Sequence, residues 1–239
     1  VVEIKIVNKY VRGNIHLTKV DSEYPDNRLT GATFEVYKDS NANGKLDNGD
    51  ELLGTLTEKE KGEYSMNDLF HGRYFVKETK APEGFVLDTG VYEVMIDTNG
   101  KTYEVENKAG VGFINEAMRG NLKIVKTSSD GKVKGFAFRI TGANGYDIIL
   151  ETNDKGEIFI DGLRIGDYTI SEVSNSASSM YVIPADKKAT VKIGSTTIVE
   201  MHNLLRDTPK TGDTTNLPLL YALAGLSAVG IAVCGVIGF

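Results

Sequence analysis

The feature that most constrains this chain is that it repeats itself. VRGNIHLTK at 11–19 aligns with MRGNLKIVK at 118–126, and GATFEV at 31–36 resembles GFAFRI at 135–140. LFHGRYFVKET at 69–79 aligns with LRIGDYTISEV at 163–173, with Leu, Gly, Tyr and Glu at the same offsets. A recurring unit of this size reads as one structural module per copy, which places two modules at 9–117 and 118–206. Inside each, short alternating runs are punctuated by Gly, Asn and Asp clusters such as DTNG (97–100) and TNDKG (152–156), and nothing before residue 217 sustains a helical period. That pattern predicts an all-β chain of two tandem antiparallel β-sandwiches. The copies differ in length: 59 positions separate Lys19 from Glu78, but only 46 separate Lys126 from Glu172.

Composition narrows the function. A net charge of −6 argues against a nucleic-acid partner, because phosphate binding needs clustered Lys and Arg. The single cysteine, Cys234, excludes an intramolecular disulfide, so an extracellular chain of this kind must draw stability from another source. Leu217 to Phe239 is 23 residues without a charge. At ~1.5 Å per residue a helix of that length crosses a ~30 Å hydrocarbon core, so a C-terminal transmembrane helix is expected at 217–239. No signal segment follows Val1, and the chain is expected to be a fragment lacking its N-terminal part. The three histidines lack metal-ligand spacing, and no nucleophile elbow, P-loop or dinucleotide fingerprint is present.

The chemistry lies in the strand phase. Residues i, i+2 and i+4 of a strand share one face, which puts Lys19 in phase with Ile15 and Leu17, and Lys126 with Leu122 and Ile124. Glu78 follows Tyr74 and Val76, and Glu172 follows Tyr168 and Ile170. Asn115 follows Val111 and Phe113, and Asn203 follows Val199 and Met201. Each copy therefore points one Lys, one Glu and one Asn inward, on its first, a middle and its last strand. Burial drives Lys and Glu toward their neutral forms. A neutral amine beside a protonated carboxyl and an amide fits amide transfer: Lys Nζ attacks Asn Cγ, Glu shuttles the proton, and ammonia leaves. The competing reading is an ordinary buried salt bridge.

LTKVD (17–21), GATFEVYKD (31–39) and YFVKETKAPEGF (74–85) resemble the SpaA-type or Cna B-type (prealbumin-like) domains of Gram-positive surface proteins and pilins, which are Ig-like sandwiches. The resemblance implies isopeptide-forming trios of Lys19, Glu78 and Asn115, and of Lys126, Glu172 and Asn203. It is weaker in the second copy, where ISEVSNSAS (170–178) keeps the Glu but lacks APEGF. Asn107 competes with Asn115. Spacing favours Asn115, which lies 11 positions before Lys126, as Asn8 lies 11 before Lys19. Residues 1–8 then read as the end of a preceding, truncated domain. YPDN (24–27) resembles the pilin motif that carries a polymerising lysine, but Asp26 stands in that lysine's place.

The segment 207–216 reads as a linker carrying a sorting motif. TPKTG, formed by Thr208, Pro209, Lys210, Thr211 and Gly212, resembles the LPxTG signal, with Thr208 in place of the usual Leu. That resemblance implies sortase as a partner, cleavage between Thr211 and Gly212, and joining to peptidoglycan or another pilin at the cell wall after retention at the membrane. No Lys or Arg follows the apolar stretch, a departure from the usual basic tail. The implied function is a sortase-anchored stalk, not an enzyme, that displays an upstream domain. The alternative is an adhesin module or accessory pilin that itself binds host matrix or glycans. No cofactor is required by this reading. DSNANGKLDNGDE (39–51) also fits a Ca²⁺ loop, with Asp39, Asn41, Asn43, the Lys45 carbonyl, Asp47 and Asp50 as oxygen donors, or else an Asx-rich turn.

Overall fold

The computed structural model describes residues 9–206. The first nine strands are β1 (Arg12–Asp21), β2 (Thr33–Lys38), β3 (Glu51–Thr55), β4 (Thr57–Glu60), β5 (Glu63–Phe70), β6 (Gly72–Lys80), β7 (Val91–Ile96), β8 (Thr102–Glu104) and β9 (Phe113–Asn115). The remaining eight are β10 (Arg119–Ser128), β11 (Ala137–Thr141), β12 (Asp147–Glu151), β13 (Glu157–Arg164), β14 (Gly166–Val173), β15 (Tyr181–Val182), β16 (Lys187–Val191) and β17 (Thr196–Leu205). One 3₁₀ turn, Ala143–Gly145, is the sole helical element among the described residues. No helix there is long and apolar enough to cross a membrane. The expected transmembrane helix at 217–239, the sorting motif at 208–212 and the Asn8 segment lie outside the described residues.

Each copy forms two sheets around its own apolar core. In the first, β4–β5–β1–β8, with β9 also on β1, faces β3–β2–β6–β7. Between them lie Ile15, Leu17, Phe34, Val36, Tyr74 and Val76, all buried. In the second, β13–β10–β17–β15 faces β12–β11–β14–β16 over Leu122, Ile124, Phe136, Phe138, Tyr168 and Ile170. The alternation seen in sequence is the burial alternation of the fold. Every second residue of β1 from Gly13 to Lys19 is buried, and so is every second residue of β10 from Gly120 to Lys126.

The expectation of purely antiparallel sandwiches needs correction. β1 pairs in parallel with β8 and β9, and β10 pairs in parallel with β17, while the other pairings are antiparallel. A period-2 pattern fixes which face a residue occupies but carries no information on strand direction. The last strand also differs between copies. β17 runs unbroken along β10, from Asn121↔Thr196 to Ser128↔Asn203. In the first copy the three steps from His16 to Lys19 on β1 are matched by nine on the partner, from Glu104 to Phe113. A six-residue excess therefore leaves the sheet between β8 and β9, and Asn107 sits in it.

The lysine-bearing strands are pinned by a glycine in each copy. The backbone N–H of Lys19 donates to the Gly62 carbonyl at 2.7 Å, and that of Lys126 to the Gly156 carbonyl at 2.7 Å. Both glycines adopt left-handed conformations, φ +73° and +77°. A Cβ there would lie 2.9 Å from the Lys19 carbonyl oxygen or 2.7 Å from that of Lys126. No L-residue combines that dihedral with that approach without strain.

Candidate functional site

The same register builds the same cluster twice. Lys19 lies opposite Phe113 and Lys126 opposite Met201. In each case the asparagine is two residues further along the last strand, on the face the lysine occupies. The glutamate comes from the facing sheet, where Glu78 lies opposite Phe34 and Glu172 opposite Phe138. All six side chains are buried, from 0% exposure for Lys19, Glu78 and Asn203 to 7% for Glu172.

Carboxyl meets amide in both copies. Asn115 Nδ2 donates to Glu78 Oε2 at 2.8 Å, and Asn203 Nδ2 donates to Glu172 Oε1 at 2.7 Å. Neither lysine forms an ion pair with its glutamate. Lys19 Nζ donates to the Phe113 carbonyl at 3.0 Å, and Lys126 Nζ donates to the Thr127 carbonyl while sitting 3.9 Å from the Phe136 ring centroid. Burial pushes the Lys19 amine down to about 8, against the opposing pull of Glu78, Asp88 and Asp21. Lys126 is lowered for the same reason. Burial likewise raises Glu78 and Glu172 above the ordinary glutamate range, although the asparagine hydrogen bonds and lysine charges oppose it. The amines thus move toward the nucleophilic form and the carboxyls toward the proton-donating form.

Buried polar atoms without a partner are uncommon and call for an explanation. Among the described residues, four of the six such side-chain atoms are Glu78 Oε1, Asn115 Oδ1, Glu172 Oε2 and Asn203 Oδ1. They are the same two groups in each copy: the free oxygen of the glutamate and the carbonyl oxygen of the asparagine. A carboxyl that carries a proton could donate it to an amide oxygen left bare in this way, so the four atoms are the ones whose pairing the geometry leaves open.

The first copy has further partners that the sequence did not single out. The Asp88 backbone N–H donates to Glu78 Oε2 at 2.8 Å, and the Val86 carbonyl accepts from Asn115 Nδ2 at 2.5 Å. Asn115, Asp88, Tyr92 and Asn107 line a cleft of about 440 Å³ beside the cluster. Asn107, the competitor for the amide role, does not touch Glu78. It bonds instead to Asp88 Oδ2 at 2.7 Å and to both backbone groups of Ile114. The nearest sequence signal was the VLD that directly continues the glutamate box, at Val86–Asp88.

A second polar cluster joins the two copies. Arg164 of β13 grips Asp21 at the end of β1 in a two-pronged pair at 2.6 and 2.7 Å, and reaches Glu23 at 2.7 Å. Arg119 also pairs with Glu23. Asp21 is fully buried and lies opposite Asn115. No local pattern announces this contact, since its partners lie 143 positions apart.

The loop 39–51 is laced by hydrogen bonds from its own backbone and amide groups to its carboxylates. Asp39 accepts the N–H groups of Asn43 and Gly44, Asp50 accepts those of Ser40 and Asp47, and Lys45 N–H donates to Asn43 Oδ1. Asn41 and Asn43 turn their amide nitrogens toward Asp47. Among the described residues no group of three or more His, Cys, Asp or Glu is placed to hold a metal ion.

Known proteins resemble the chain throughout the described region. The SpaA family, a prealbumin-like fold domain, matches residues 13–109 and 120–204. The trypsin-resistant surface T6 protein of Streptococcus pyogenes serotype M6 is 26% identical over 204 residues, which cover 72% of this chain and 35% of that protein. The Bacillus anthracis TIE protein is similar in structure, with a TM-score of 0.61 and 25% identity over 81% of this chain and 34% of that one. A C-terminal fragment of the pilus adhesin SpaC from Lactobacillus rhamnosus GG shares the fold at a TM-score of 0.51 and 15% identity, covering 84% of this chain and all of the fragment. The chain spans about a third of the length of the first two relatives.

Proposed function

Because this chain belongs to the SpaA family of prealbumin-like domains, we propose that it is a structural stalk segment of a Gram-positive surface protein or pilin whose two domains each close an internal Lys–Asn amide. The bonds are Lys19–Asn115, promoted by Glu78, and Lys126–Asn203, promoted by Glu172. In each, the neutral Nζ attacks Cγ while the protonated glutamate stabilises the developing charge on Oδ1. The Nζ–Cγ bond forms and the Cγ–Nδ2 bond breaks. The proton lost by Nζ passes through the glutamate to Nδ2, which leaves as ammonia. The product has no buried charge, and its N–H takes the place of Nδ2 as donor to the glutamate.

The observation that carries this reading is the recurrence, in both domains, of a glutamate and an asparagine that share one hydrogen bond and each keep one bare buried oxygen. Each closure removes about 17 Da as ammonia. An intact mass about 34 Da below the sequence mass, with branched Lys19–Asn115 and Lys126–Asn203 peptides after digestion, is expected. An uncorrected mass rules the bonds out.

The display role rests on the relatives. One is named as a streptococcal surface protein and another as a pilus adhesin. With the TPKTG segment at 208–212 and the apolar stretch after it, they support export, sortase cleavage after Thr211 and covalent attachment to peptidoglycan or a pilin. Incubation of the full chain with a sortase and a glycine-based nucleophile is expected to break the Thr211–Gly212 bond and give a product in which the Thr211 carbonyl is joined to the nucleophile's amine. Cleavage elsewhere, or none, overturns this part.

A further inference from the structure

Resting on the amide-forming reading above, we infer that Asp88 and Asn107 are positioning residues for bond closure in the first domain, and that the second domain closes without such a pair. Two loops converge on the Glu78–Asn115 contact. One, Val86–Gly90, supplies both the acceptor for Asn115 Nδ2 (the Val86 carbonyl) and a second donor to Glu78 (the Asp88 N–H). The other is the six-residue excess between β8 and β9, whose Asn107 binds Ile114, the residue before Asn115, through its amide nitrogen at 2.8 Å and its oxygen at 2.6 Å.

The Asp88 carboxylate ties these loops together. It accepts from Asn107 Nδ2 at 2.7 Å, Tyr92 Oη at 2.9 Å and the Gly90 N–H at 2.6 Å. Although burial raises its pKa, the bonds from Asn107, Gly90 and Tyr92 outweigh that and hold Asp88 below the usual carboxylate range.

The chemical effect is to assign the two oxygens of Glu78. Oε2 accepts two N–H groups, from Asn115 and Asp88, so the proton resides on Oε1, the oxygen left bare for the equally bare Asn115 Oδ1. In the second domain Glu172 accepts from Asn203 alone, and the last strand runs through without an excursion. The first domain, whose strand is broken just before its asparagine, thus carries side chains that restore the geometry the second obtains from an unbroken strand.

The test is a pulse of cell-free synthesis of the full chain, quenched at intervals, digested, and assayed for both branched peptides. Lys126–Asn203 serves as the internal clock. Asp88→Ala and Asn107→Ala are each expected to slow Lys19–Asn115 closure about tenfold relative to that clock, in chains whose second domain closes normally. Asp88→Asn keeps one oxygen to accept from both Asn107 and Tyr92, gives up only the acceptor for the Gly90 N–H, and is expected to restore closure to within about threefold of the parent. Closure of both alanine variants at the parental rate, or failure of Asp88→Asn to restore it, overturns the assignment. Absence of branched peptide from the parent chain would instead defeat the amide reading itself. Should Asp88→Ala not fold, Asn107→Ala carries the test alone.

Discussion

The two domains hold the same buried Lys, Glu and Asn in the same register, yet surround them differently. Lys faces the residue two before its Asn, and Glu faces the equivalent Phe, in both. Around that constant centre the first domain has an interrupted last strand and a loop donor to its glutamate, while the second has a continuous strand and an aromatic ring close under its lysine. The comparison teaches that register and burial alone bring the three groups together in both domains. Strand continuity and loop content differ together: the first domain brings two loops to its Glu78–Asn115 contact, and the second has an unbroken last strand.

The largest test of this equivalence removes one bond at a time. With the proposed bonds in place, Asn115→Ala opens a loop of 96 positions and Asn203→Ala one of 77. Chain-entropy reasoning assigns each about 4–5 kcal/mol, with the two within a few tenths of each other because the dependence on loop length is logarithmic. Calorimetry of the two variants checks this. A clear inequality would mean that the surroundings contribute, and that the domains are less alike than their trios suggest.

Next comes the joint between them. Arg164→Ala leaves Asp21 buried without its cation and is expected to cost about 3 kcal/mol. The loss should fall on the first domain, whose β1 carries Asp21, and appear as lower protection of the Val20–Ser22 amides in hydrogen exchange. An effect confined to the second domain would contradict the burial of Asp21.

A smaller effect concerns pH. In Asn115→Ala the Lys19 amine persists, with its folded pKa lowered from 10.5 to about 8. Between these values the unfolded chain binds the proton that the folded chain has released, so stability rises with pH across the window. Tyr64 and Tyr92, pushed up to about 12, act in the opposite sense above pH 10. The clean interval is therefore about pH 8 to 9.5, where a gain on the order of 2 kcal/mol is expected over an Asn115→Ala, Lys19→Met double variant. The second domain should show the same sign in Asn203→Ala, since Lys126 is also lowered. Smallest of all, His16 bridges Glu63 and Glu104 where the second domain has Lys123 paired with Glu157. His16→Lys places a cation between the two carboxylates and should change stability by less than about 1 kcal/mol in thermal melts.

Much of the centre was legible in the sequence. Lys19, Glu78 and Asn115 sit in phase with core residues, and the second trio repeats the phase, so burial could be read from alternation alone. The surroundings were not legible. Alternation is blind to direction, which hid the parallel pairing of first and last strands. It is also blind to where a strand leaves its sheet, which left Asn107 as a rival amide until the excursion between Glu104 and Phe113 removed it from the glutamate. Asp88 reaches Glu78 through its backbone N–H, a group every residue but proline carries, and its carboxylate meets Asn107 from 19 positions away, so no local pattern flags either contact. The Arg164–Asp21 joint joins residues from different copies, and a repeat aligns positions only with their equivalents.

The parallel pairing of first and last strands has a geometric consequence. A chain whose opening and closing strands run the same way enters each sandwich at one pole and departs at the other, so successive units add end to end. With both amides closed, 96 and 77 residues of contour are bypassed. The extensible backbone between the two branch points is the 11 positions from Asn115 to Lys126, ~40 Å when fully drawn out. The two-domain segment therefore has a nearly fixed maximum length, set by where two asparagines fall rather than by how firmly either sheet is held.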